Sequence, residues 1–146
     1  MKRVLSLLFL TGSLLLYGCE WYDLQLDRNY VEVDHRAQEF VINADAGITQ
    51  LGFFINEYGD LQLSDYKEVV SIMHCRFECG WIRLDIDYSD PNHFSVSLDE
   101  NTSSKTRKAK VDVGRLAGGD TLLVVQKGRP KPRTTEQTTR VRQRGD

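Results

Sequence analysis

Catalytic signatures are missing from this sequence. It contains no GxSxG, no HExxH, no phosphate-binding glycine loop and no dinucleotide fingerprint. Histidine is scarce: His35, His74 and His93 lie far apart in the sequence, where surface or strand positions suit them better than the role of a base. Long apolar runs are missing too. The stretch from Val4 to Tyr17 falls short of the roughly 20 residues that a membrane-spanning helix needs. No convincing amphipathic helix follows it. A basic face is also lacking, although a net charge of −2 conceals this. Glu20 to Gln126 carries 19 acidic and 10 basic residues, whereas Lys127 to Asp146 carries 7 basic and 2 acidic ones. An acidic body with a basic tail does not suit nucleic acid, which asks for cations on a folded surface. Carboxylates are plentiful, but a glycosidase pair must hold them about 5–10 Å apart in a cleft. Asp85, Asp87, Asp90 and Asp99 fall on wet strand faces and turns instead. The expectation is a protein that is not an enzyme and needs no cofactor or metal.

What the N-terminus does have is an order of features. Met1-Lys2-Arg3 supplies positive charge, Val4–Tyr17 the apolar stretch, and Gly18 a small residue just before Cys19. This order resembles the lipobox of bacterial lipoproteins. The resemblance implies cleavage after Gly18 and acylation of the Cys19 thiol, leaving everything downstream outside the cytoplasm. Residues 1–18 are then a lipoprotein signal peptide and 19–28 a lipidated tether, with Trp21 and Tyr22 either beside the headgroups or covering one end of the domain. Glu20 and Asp23 after the anchor lean toward the outer membrane and the cell surface, with the periplasmic face as the alternative.

Without its first 18 of 146 residues the chain keeps 128, enough for one domain. Cys75 and Cys79 remain as a pair in an oxidising compartment, which favours a disulfide. Such a bond needs Cα atoms within about 7 Å, whereas an extended strand holds residues four apart near ~13 Å. A Cys75–Cys79 bridge therefore demands a turn there. Free thiols, or a metal site with His74, are the alternatives.

The dominant signal is alternation with a period of two. Val31 and Val33 share a face, as do Phe40, Ile42 and Ala44, then Leu51, Phe53 and Ile55. Ile82, Leu84, Ile86 and Tyr88 follow, then Phe94, Val96 and Leu98, then Ala109, Val111 and Val113. Leu122–Val125 is apolar throughout, as in a strand buried on both faces. Leu61–His74 reads as a strand from its β-branched residues, although Asp65-Tyr66-Lys67-Glu68 could open a helix. Gly, Asn, Asp and Ser mark the breaks. About seven short strands so punctuated predict an all-β, antiparallel β-sandwich over residues 29–128, with a barrel as the alternative.

The order Trp81-Ile82, Phe94–Leu98, Asn101-Thr102-Ser103, Arg107, Ala109–Val113 and Val124-Val125-Gln126-Lys127-Gly128 carries a second likeness. It resembles the BACON domain of Bacteroidetes surface proteins, over somewhat more than a third of the mature chain. The resemblance implies an immunoglobulin-like β-sandwich. It implies structural roles for Asn101, which would cap the turn after the Phe94–Leu98 strand, for Arg107, which would anchor the loop, and for Gln126. It also implies binding of polysaccharide or mucin glycan, or alternatively a spacer or contact with a surface protein partner. Two features depart from the family: no enzyme is attached, and Glu57–Gly80 is longer.

Sugar binding requires an exposed aromatic platform near carboxylates or amides, since sugar C–H faces stack on rings. Trp81, Tyr58 and Tyr66 are the candidates, with Tyr58 beside Glu57 and Asp60. Trp81 precedes Ile82 in the alternation and so points away from the main apolar face, but a turn at residues 75–79 is expected to cover it, since tryptophan is mostly buried.

From Arg129 to Asp146 apolar residues nearly vanish, which predicts a disordered basic tail. Deleting 129–146 is expected to leave the melting temperature unchanged in a thermal scan; a large drop would show that the tail packs.

Overall fold

The computed structural model describes residues 23–115 and 118–132. Cys19, the segment expected to be a signal peptide and the residues from 133 onward lie outside these residues. Among the described residues nine strands form two packed sheets, and there is no α-helix. In chain order the strands are β1 (Tyr30–Val33), β2 (Gln38–Asn43), β3 (Gln50–Phe53), β4 (Tyr66–Val70), β5 (His74–Cys79), β6 (Ile82–Asp87), β7 (His93–Leu98), β8 (Arg107–Arg115) and β9 (Gly118–Gln126). One sheet runs β1-β9-β8-β3 and the other β2-β7-β6-β5-β4. Every ladder is antiparallel except one: β1 pairs parallel with β9, with Tyr30 opposite Leu123.

Alternation builds the core as the pattern predicts. Ile82, Leu84 and Ile86 from one sheet are buried, as are Ala109, Val111 and Val113 from the other. Phe94, Val96, Leu98, Leu122 and Val124 complete the contact. A one-residue slip in any of these strands would turn its whole apolar set toward water. In β9, Val125 is also buried although it points to the outer face, while Leu123 is half-buried.

Three expectations need correction. The segment 75–79 is not a turn but the body of β5, hydrogen-bonded to β4 on one side and β6 on the other. Its extended backbone keeps Cys75 and Cys79 too far apart to bond, and both are free, buried thiols. The reversal comes later, in the two-residue Gly80-Trp81 link between Cys79 and its partner Ile82, where Gly80 has φ +59°. A left-handed residue at the first central position is what a tight hairpin of this kind requires. The strand count thus rises from about seven to nine, because Leu61–His74 contributes β4 behind a 3₁₀ turn at Leu63–Asp65, and β5 was not foreseen.

The third correction concerns the tether. Leu24 is buried and Leu26 bridges Ala44, so the domain already packs from Leu24 rather than from residue 29. At the other terminus the Arg129 amide still donates to the Ser103 carbonyl at 2.7 Å.

The two ends of the sandwich differ. At the entry end, Leu26 meets Ala44, Ala44 N–H donates to Asn92, Ile48 N–H donates to Pro91, and the β4–β5 hairpin turns. At the opposite end lie Gly80-Trp81, the loop after β7 and the segment after β3. Truncating Leu24 to alanine is expected to cost about 2–5 kcal/mol in urea unfolding, as for a core leucine. A loss within experimental error would return residues 24–28 to the role of a tether.

Candidate functional site

The three motif residues Asn101, Arg107 and Gln126 converge at the end opposite the chain entry. Gln126, the last residue of β9, is fully buried, and its amide serves three partners. Its Nε2 donates to the carbonyls of Arg36 and Asp99, at 2.9 and 3.0 Å. Its Oε1 accepts from Arg107 Nε at 2.9 Å. Arg107 reaches on to the Asp99 carbonyl at 2.7 Å. Because Arg36 and Asp99 flank strands of one sheet while Arg107 and Gln126 belong to the other, the cluster ties the sheets together. Asn101, also buried, donates to the carbonyls of Lys105 and Lys127 and accepts from the Ser103 amide. These bonds hold the loop between β7 and β8. Two residues past β9, Gly128 lies against the Ser104 backbone, with no room for a Cβ.

Trp81 belongs to this cluster. Its ring is buried, with the Arg107 guanidinium 4.4 Å from the centroid and Nε1 donating to the Asp60 carbonyl at 3.2 Å. The indole is covered, as expected, and so offers no outward platform, but the cover is Arg107 and not a turn at 75–79. Burial lowers the Arg107 pKa, against the opposing pull of Asp99 and Asp60. Tyr66 is half-buried on β4, at the edge of the other sheet, with its hydroxyl 3.4 Å from Glu68. Burial first, then the Glu68 charge, raises its pKa.

Tyr58 alone among the three aromatics is exposed. It sits in the loop after β3 between Asn56 and Gly59, both with positive φ. The Lys108 ammonium lies 5.8 Å from its ring centroid. Nearby, exposed Phe54 carries Lys110 at 4.6 Å, and Lys110 pairs with Glu57 at 3.1 Å. Asp60 fixes the same loop by accepting from the Lys108 amide at 2.8 Å. The result is a surface patch of two aromatic rings, two ammonium groups and a carboxylate on the outer side of β8. Phe54, Lys108 and Lys110 were not anticipated. The doublet Phe53-Phe54 held the clue, since in a strand one of two adjacent rings must face out.

A second depression, of about 250 Å³, lies on the outer face of the five-stranded sheet between Val41, His74, Asp85, Asp87, His93 and Ser95. Here His74 and His93, remote in sequence, share one surface. Asp85 is engaged by Arg76 at 2.8 Å and His74 at 3.3 Å. Asp87 accepts from the Ser89 hydroxyl and amide, bonds that hold its carboxyl below the ordinary range. The charges are mutually satisfied on an open face. His74 points outward while Cys75 and Cys79 point inward, so the three cannot converge on a metal. Among the described residues no three His, Cys, Asp or Glu side chains gather for one. Burial, then the Asp65 charge, pushes the Cys79 thiol pKa up, which suits an inert core residue.

No protein-family model and no curated protein matches this chain. Similar solved structures include the NMR structure of a protein from Bacteroides thetaiotaomicron, with 17% identity, a TM-score of 0.49, and coverage of 77% of this chain and 88% of that one. A Bacteroides ovatus GH5 xyloglucanase in complex with a XXXG heptasaccharide has 17% identity and a TM-score of 0.46, over 75% of this chain and 20% of that one. The twitchin kinase region from C. elegans has 9% identity and a TM-score of 0.40, over 73% and 16%. This chain thus spans only a small part of the last two.

Replacing Gln126 by alanine is expected to cost about 2–5 kcal/mol, since it orphans buried groups on both sheets. Chemical denaturation measures this; a loss under about 1 kcal/mol would show the cluster to be dispensable.

Proposed function

We propose that this chain is a non-catalytic, extracytoplasmic module of BACON type, anchored through lipid on Cys19, that binds glycan at the Phe54–Tyr58 patch. The anchor rests on the N-terminal pattern of charge, apolar stretch, Gly18 and Cys19. The family assignment rests on the sequence order, with the meeting of Asn101, Arg107 and Gln126 in one cluster as support.

The observation that carries the binding reading is the patch itself. Phe54 and Tyr58 are exposed on a loop whose backbone is pinned through Asp60, and their neighbours are Lys108, Lys110 and Glu57. Rings stack on the C–H faces of a sugar, while ammonium and carboxylate groups hydrogen-bond its hydroxyls. The two lysines favour a polysaccharide that carries carboxylate or sulfate groups. Deep enclosure is not needed for a polymer, which passes across a shallow face. Trp81 and Tyr66 have no part in this binding.

Affinity electrophoresis of the full chain against neutral and acidic polysaccharides tests the proposal. Retardation is expected with an acidic polymer, and Tyr58→Ala or Phe54→Ala should weaken it by about fivefold to tenfold, the worth of a good ring contact. Lys110→Ala should weaken it too and reduce its salt dependence. Retardation by no polymer, or retardation unchanged in all three variants, would overturn the glycan reading.

A further inference from the structure

The geometry points to the β4–β5 hairpin tip, Val69–Met73, as a second contact with the bilayer that holds the lipid anchor. This rests on the anchoring reading above. Ile72 at the tip is 98% exposed, and Val69, Val70 and Met73 beside it are exposed as well. Nothing in the fold asks for these side chains. The turn is closed by its backbone and by Ser71, whose amide and hydroxyl both donate to the His74 carbonyl. Tight turns favour Gly, Asn, Asp and Ser, so an isoleucine and a methionine there answer to something outside the domain.

The occupant is indicated by where the chain enters. Register places the hairpin and the N-terminal segment at the same end of the sandwich: His74 pairs with Asp87, His93 with Asn43, and Leu26 with Ala44. Between them lie β6 and β7, so β5 and β2 are three strand spacings, about 14 Å, apart. Only residues 20–22 separate Cys19 from Asp23. Four Cα–Cα steps reach at most about 14 Å. A bilayer that holds Cys19 therefore lies beside this end of the domain. The segment from Val69 to Met73 carries no charge, whereas Asp45, Asp87 and Asp90 lie at the same end. Those carboxylates keep the remaining surface in water, so the apolar tip alone enters the interface. One acyl anchor leaves a domain free to tumble; a second contact fixes its attitude. Phe54 and Tyr58, at the opposite end, then face away from the membrane.

The test uses the full-length acylated chain reconstituted into phosphatidylethanolamine–phosphatidylglycerol vesicles. A nitroxide is placed on Ile72→Cys, on Met73→Cys or, as a control at the opposite end, on exposed Leu63→Cys. Power saturation then compares collisions with oxygen and with a water-soluble nickel chelate. On vesicles, the labels at 72 and 73 are expected to gain oxygen and lose nickel accessibility several-fold, with 63 unchanged. Adding Ile72→Asp to the Met73-labelled chain should return that label to water. Labels at 72 and 73 that stay as water-exposed as 63, on chains that float with the vesicles, would overturn the hairpin contact while leaving the anchor intact. Loss of flotation, with no acyl mass on Cys19, would overturn the anchoring reading and this inference with it.

Discussion

The buried side-chain amide of Gln126 is the constraint on which this domain closes. An amide withdrawn from water must find every partner inside, and here the partners belong to both sheets: Arg107 on its own side, the carbonyls of Arg36 and Asp99 on the other. Apolar contact alone would tolerate small slides of one sheet over the other. Three directed hydrogen bonds in a dry setting do not, because any slide strands a donor or an acceptor.

Order spreads outward from that point. Gln126 holds Arg107, whose guanidinium lies on Trp81, and the indole in turn bonds the Asp60 carbonyl. Asp60 grips the Lys108 amide and so fixes the loop that carries Tyr58. The exposed aromatic patch is thus the outermost link of a chain that begins in the core. A loop bearing two left-handed residues would otherwise sample many conformations. The order of this surface is supplied by residues that lie beneath it.

Much of this was legible in the sequence, for a physical reason. Alternation reports which face is dry, so the inner faces of β6, β7 and β8 could be read directly. Asn101, Arg107 and Gln126 were legible as a set only through family likeness; no period marks a polar clamp. The β5 strand hid behind its own cysteines. His74-Cys75-Arg76-Phe77-Glu78-Cys79 alternates cleanly, yet two thiols four apart suggested a bond and hence a turn. In a packed strand a cysteine is simply a small apolar residue. The cover of Trp81 was misread because parity stops at a hairpin turn, where the side chain folds over the end of the sheet and meets Arg107. Leu24 was hidden by its position next to the anchor motif. The pairing of Phe54 and Tyr58 with Lys110 and Lys108 joins residues about fifty positions apart, beyond the reach of local pattern.

The lone parallel ladder has a mechanical meaning. β1 follows the entry of the chain at one end, β9 delivers it to the other, and the two lie side by side in the same direction. Tension between the N-terminal and C-terminal ends would draw these neighbours past one another lengthwise. Their hydrogen bonds then share the load at once instead of opening singly as in a zipper. A protein held at one terminus and tugged through the other is thereby gripped along the direction in which its first and last strands are hardest to separate.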